Sequence, residues 1–181
     1  VPAEDKTFTA QWERNSYKLT WVVDTVSTES VVPFESFIIK PADPEKEGFT
    51  FTGWDPAVPE QMPASDQTFT AQWSRNHYKV TWIVEGVSTE VDYAYEDSIK
   101  KPADPVKVGY TFLGWSPEVA ETMPAQDLRY TARFAINSYA MTFVLGNGEE
   151  DVVITQEYMT PLTAPEDPTK TGCTFLGWNP E

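Results

Sequence analysis

The sequence predicts a mainly β protein built as a tandem array of small units, and three observations carry that prediction. Segments recur at a fixed spacing of 61 residues, as at Asn15, Asn76 and Asn137. Within each copy, apolar and polar residues alternate at period two, the pattern of strands with one buried face. Fifteen prolines and nine glycines punctuate those runs in no collagen-like period, which demands many turns and short elements.

The repeat is legible segment by segment. Val1–Trp12 (VPAEDKTFTAQW), Met62–Trp73 (MPASDQTFTAQW) and Met123–Phe134 (MPAQDLRYTARF) are copies of one motif, and so are NSYKLTW from Asn15, NHYKVTW from Asn76 and NSYAMTF from Asn137. KPADP begins at Lys40 and again at Lys101, and GFTFTGW from Gly48 returns as GYTFLGW from Gly109. The third copies, APEDP from Ala164 and GCTFLGW from Gly172, arrive two residues late. A two-residue insertion is therefore expected between Phe143 and Ala164, near Gly146-Asn147-Gly148. The boundaries follow: residues 1–14 as the last strand of a preceding repeat, 15–75 as repeat 1, 76–136 as repeat 2, and 137–181 as repeat 3 without its last strand.

The first strand of each copy places Tyr17, Leu19, Trp21 and Val23 on one face, as it does Tyr78, Val80, Trp82 and Val84, and then Tyr139, Met141, Phe143 and Leu145. Glu85-Gly86 and the Gly146 region suit a hairpin turn into a second strand around 29–34, 90–95 and 152–158. Tyr95–Lys101 can form one helical turn before Pro102 stops it. Ile38, Ile99 and Leu162 hold equivalent places there, positioned to plug the core. The third strand covers 49–54, 110–115 and 173–178. Its glycine (Gly53, Gly114, Gly177) breaks the alternation, which reads as a bulge. The fourth strand turns Phe69, Ala71 and Trp73 inward, with Tyr130, Ala132 and Phe134 matching, and Phe8, Ala10 and Trp12 before them. Four-residue linkers such as Glu13-Arg14-Asn15-Ser16 restrict hinge motion and favour an elongated rod.

Composition narrows the function classes. Thirteen Lys and Arg against 28 Asp and Glu give a net charge of −15, which disfavours nucleic acid and anionic lipid as partners. One cysteine excludes an intrachain disulfide. No stretch approaches the roughly 18 apolar residues of a membrane-spanning helix. The opening Val1 and missing leader read as a piece of a longer protein.

The paired motifs G-[FY]-T-F-x-G-W and T-F-T-A-Q-W resemble the Listeria–Bacteroides repeat family, which includes the B-repeats of internalin-type surface proteins. The resemblance covers essentially the whole chain. It implies a small α+β unit of β-grasp, ubiquitin-like shape, an extracellular, cell-surface or cell-wall-associated location, and a stalk or adhesive role. It carries over no catalytic residue. Cys173, standing where the other copies have Phe49 and Tyr110, departs from the pattern.

His77 falls where the other copies have Ser16 and Ser138, so histidine chemistry is not expected. Cys173 is expected to be a buried, inert thiol. Asp5, Asp66 and Asp127 suit turns that bond nearby amides, as do Asp43, Asp104 and Asp167; no Asp run has calcium-loop spacing. Lys46, Lys107 and Lys170 occupy equivalent places, as do Asn15, Asn76 and Asn137, but a lysine–asparagine crosslink would require contact, and a solvated lysine and a turn asparagine are expected. Trp54, Trp115 and Trp178 read as core, against a sugar-stacking alternative.

No enzyme, cofactor or metal is expected. The leading function is a repeat stalk supporting adhesion. The alternative is a binding module contacting a host glycoprotein or glycan, for which P-x-D-P-x-K-x-G is the best retained patch. The third is an accessory array on a secreted hydrolase. The expected partners are neighbouring repeats, a host surface protein or glycan, and another copy through head-to-tail addition of the first strand.

Overall fold

A computed structural model describes residues 3–179, and among them it holds ten strands and no helix. Repeat 1 contributes β1 (Ser16–Val23), β2 (Val26–Pro33), β3 (Phe49–Asp55) and β4 (Gln67–Arg75), in the order β2-β1-β4-β3. β1 and β2 form an antiparallel hairpin, from Ser16↔Pro33 to Val23↔Val26. β4, the last of the four in sequence, enters the centre of the sheet. It runs parallel to β1 from Leu19↔Gln67 to Val22↔Thr70 and antiparallel to β3. Repeat 2 builds the same sheet from β5 (His77–Val84), β6 (Val87–Ala94), β7 (Tyr110–Ser116) and β8 (Leu128–Ile136), ordered β6-β5-β8-β7. Among the described residues, repeat 3 has the hairpin β9 (Ser138–Phe143) and β10 (Val152–Glu157) and no other strand.

The period-two pattern produces the core directly. Leu19 and Trp21 of β1 and Phe69 of β4 are buried together with Met62, while Tyr17, Val32, Ile38, Trp54 and Val58 pack around them. Val80, Trp82 and Tyr130 are their buried counterparts in repeat 2. The ring of Trp21 meets Trp54 edge-on at 4.7 Å and Phe69 at 5.2 Å, and Trp82 meets Trp115 at 4.8 Å and Tyr130 at 5.0 Å. Tyr130 keeps its hydroxyl satisfied by accepting from the Ala120 amide at 3.0 Å.

Two of the three expected bulges are present; Gly177 lies in a segment that forms no strand. The pairing slips between Phe51 and Gly53 and between Phe112 and Gly114. Gly53 sits at φ 136 and Gly114 at φ 116, angles that an L side chain rarely adopts. The hairpin ladder also locates the insertion. Trp21 pairs with Thr28, seven residues on, whereas Phe143 pairs with Val152, nine residues on. The two extra residues therefore lie in the loop containing Gly146 and Gly148.

Four expectations are corrected. Tyr95–Lys101 forms no helical turn. The Glu96 amide donates to Met123 O at 2.8 Å, and Asp97 O accepts from the Met123 amide at 2.9 Å. Backbone groups bonded across to a distant segment cannot serve a helix, so the units are all β rather than α+β. Cys173–Trp178 forms no strand, because a β3-type strand pairs only with a β4-type strand and no such neighbour lies beside it among the described residues. Residues 3–15 likewise form no strand, leaving Phe8 87% and Trp12 92% exposed. They copy the β4 sequence, but no β1- and β3-type pair flanks them; Val1 and Pro2 lie outside the described residues. Leu162 is 52% exposed rather than plugging a core, since repeat 3 closes none.

The chain divides into two compact units. One comprises residues up to Tyr78 with Tyr93–Asp97 and Met123–Gln126, the other Lys79–Asp92, Ser98–Thr122 and the residues from Asp127 onward.

Candidate functional site

Two features recur in equivalent places, a surface cleft and a backbone clasp. The cleft opens beside the third strand, where the bulge turns the tryptophan out of the strand's alternation. In repeat 1 it has a volume of about 440 Å³ and is lined by Lys40, Asp43, Phe51, Gly53, Trp54 and Val58, among others. In repeat 2 the cleft of about 570 Å³ is lined by Lys101, Asp104, Phe112, Gly114, Trp115 and Val119. These are the same six positions, 61 residues apart. Phe51, Trp54, Phe112 and Trp115 are half-buried, so their rings serve as core and as cleft wall together. A Cβ at Gly53 or Gly114 would meet nothing within 4 Å; the glycines leave the cleft open.

The polar residues at this cleft have no structural task. Lys40, Asp43, Lys101 and Asp104 are exposed, and among the described residues they make no hydrogen bond or ion pair. Other retained charges do. Lys18 pairs with Glu29 at 3.2 Å and Lys79 with Glu90 at 2.8 Å, and the latter contact raises the Lys79 pKa.

The clasp is built on the linker asparagine. Asn76 N donates to Gly48 O at 2.9 Å, Asn76 O accepts from the Tyr95 amide at 2.9 Å, and Thr50 Oγ1 donates to Asn76 Oδ1 at 2.5 Å. Asn137 repeats all three contacts, with Gly109 O at 2.9 Å, the Tyr158 amide at 2.8 Å and Thr111 Oγ1 at 2.6 Å. A ring from the following hairpin lies directly over each glycine. A Cβ on Gly48 would stand 2.2 Å from the Tyr95 ring, and one on Gly109 would stand 2.1 Å from the Tyr158 ring. Both glycines are also left-handed, at φ 73 and φ 76, so no other residue fits there. Arg75 adds to the first clasp. It donates to Tyr95 O and to Asp97 Oδ1, and this hydrogen bond holds the Asp97 carboxyl below its ordinary pKa. Burial raises the Tyr95 phenol above its own. Ile136 stands where Arg75 would fall in the second clasp.

The structure sorts the residues singled out from sequence. His77 is exposed at the start of β5. Cys173 is exposed rather than buried, a correction that follows from the unpaired segment around it. Asp66 and Asp127 do bond backbone amides, but distant ones: each accepts at 2.8 Å from Lys18 N or Lys79 N, 48 residues earlier. They pin the last strand against the first. Lys46 and Lys107 do not reach the asparagines. Lys46 pairs with Asp24 at 2.8 Å over the Phe49 ring, and Lys107 pairs with Glu85 at 2.7 Å over the Tyr110 ring. Glu85 raises the Lys107 pKa. Lys170 donates instead to Gly146 O at 2.7 Å.

Sequence reasoning passed over the asparagine as a clasp and Met62 and Met123 as fully buried core. The signal for all three was present in their return at the 61-residue spacing.

Residues 8–74, 78–129 and 139–181 match the Listeria-Bacteroides repeat domain. A protein of Evansella cellulosilytica named as a membrane protein is 31% identical over 204 aligned positions, covering 98% of this chain and 31% of that one. A second, named as a Gly-rich membrane protein from the same organism, is 29% identical and covers 97% and 24%. Internalin H of Listeria monocytogenes is 36% identical over 109 positions, 55% of this chain and 20% of that protein. The chain thus spans less than a third of the length of each of these relatives.

Proposed function

The chain belongs to the Listeria-Bacteroides repeat family, and from that premise we propose that it serves as a non-catalytic spacer in a bacterial cell-surface protein, holding a binding region away from the cell wall and so supporting adhesion. The observation that carries this reading is the clasp, which appears twice with the same three hydrogen bonds and the same ring over glycine. A spacer keeps its reach only if successive repeats resist folding back on one another. A linker with its backbone amide, carbonyl and side chain all engaged loses the freedom of a flexible tether. Relatives named as membrane proteins support a place at the cell envelope.

Small-angle scattering tests the reading. A compact 181-residue domain would have a radius of gyration of about 16 Å. The spacer reading predicts a clearly larger value with a narrow distribution, and a broader one when Tyr95 and Tyr158 are both changed to Ala. A value near that of the compact domain would refute it.

A further inference from the structure

We propose that the clefts of repeats 1 and 2 are binding sites for an uncharged sugar ring within a glycan. The inference goes beyond the spacer reading and does not depend on it. A residue that returns in a second copy of a unit is held there by the fold or by something outside it. The fold accounts for Phe51, Gly53 and Trp54, which build the bulge and pack on the core. It does not account for Lys40 and Asp43, which return as Lys101 and Asp104 at the mouth of the same cleft, exposed and unbonded.

The chemistry of the lining selects the ligand. A pyranose has an apolar C–H face and a rim of hydroxyls. The half-buried Phe51 and Trp54 rings stand at 66° to one another, so a single ring, not the pair, offers its flat side to that face. Asp43 accepts from hydroxyls and Lys40 donates to them, each as a charge-assisted bond. One cation and one carboxylate in the first cleft, and two of each in the second with Arg133 and Glu118, leave no net charge at either rim, which suits a neutral polyol. The chain's net charge of −15 repels sulfated or otherwise polyanionic glycans. A peptide added as a strand is disfavoured as well, because the bulge at Gly53 interrupts the edge that such a strand would need. Repeat 3 departs from the pattern. Ala164 stands at the lysine's place, and its cleft of about 560 Å³ is lined by Leu162, Phe175 and Trp178 without a lysine. Two sites per chain are therefore expected.

Isothermal titration of the 181-residue chain with N-acetylglucosamine oligosaccharides and with a soluble uncharged glucan tests the proposal, with heparin as the charged control. The expected result is saturable binding of at least one uncharged glycan at about two sites per chain. Asp43→Asn should remove one of the two sites, and Asp43→Asn with Asp104→Asn should weaken binding about tenfold or more. The melting temperature should not move, since neither carboxylate bonds anything in the fold. No saturable heat with either uncharged glycan, undiminished binding by the double variant, or tighter binding of heparin would each overturn the proposal. Scattering from the same double variant should match the unaltered chain, so a failure here is distinct from a failure of the spacer reading.

Discussion

Repeats 2 and 3 carry nearly the same third-strand sequence, GYTFLGW and GCTFLGW, yet only the first is in a sheet. In repeat 2, β7 pairs with β8, and β8 in turn runs parallel to β5. In repeat 3 the hairpin β9–β10 forms, and Trp178 still approaches Phe143 at 4.9 Å and Phe175 at 5.2 Å. The aromatic contacts survive while the backbone ladder does not. Strand formation in this fold is thus decided by the fourth strand, which supplies the hydrogen-bonding partner on both sides. The hairpin is local and forms without it; the third strand is not.

The comparison predicts unequal costs for similar changes. Tyr130→Ala or Phe69→Ala removes a fully buried ring from the central strand, and each should cost about 3–5 kcal/mol in urea unfolding. Trp178→Ala, in the unpaired segment, should cost under about 1 kcal/mol. Equal costs would mean that repeat 3 has a closed core of its own. Asn76→Ala removes the Thr50 contact of the first clasp but keeps its two backbone bonds and both sheets, and should cost about 1 kcal/mol in urea unfolding.

A smaller effect separates the two clasps. Arg75 lowers the Asp97 pKa, so the stabilisation is fully present above the carboxylate's unfolded value of about 3.9. It is lost as pH falls through the lower folded value. Acid titration by NMR should therefore loosen the Tyr95 clasp below pH 4 and leave the Tyr158 clasp, with Ile136 in place of arginine, without that step. The smallest effect concerns metal. Melting curves in EDTA and in excess calcium should superimpose, because Asp66 and Asp127 spend an oxygen on strand amides. A calcium-dependent rise of several degrees would contradict that role.

Much of this was legible in the sequence because the repeat supplies its own internal comparison. The strands of repeats 1 and 2, both bulges and the loop insertion follow from period-two alternation, from glycine and from the two-residue lag. What escaped were features set by tertiary pairing. Cys173–Trp178 and Phe8–Trp12 have strand composition, but composition cannot say whether a partner is present. Tyr95–Lys101 has the composition of a helical turn and forms none for the same reason, since its backbone bonds to Met123, far along the chain. Half of the cleft was visible, in the retained KPADP. That it faces the bulged tryptophan depends on how the loop returns to the third strand, and no spacing rule states that.

The central claim is that the fourth strand organises each repeat, and supplying one to repeat 3 tests it most directly. The donor is a peptide with the sequence of residues 62–75, added to the 181-residue chain. Amide exchange at Thr174 reports the outcome, with Thr111, which faces β8, as the paired reference. The account predicts that the Thr174 amide, unpaired without the peptide, becomes protected toward the level of Thr111 as the peptide saturates. Unchanged exchange at saturation, or protection already equal to Thr111 before the peptide is added, would contradict it.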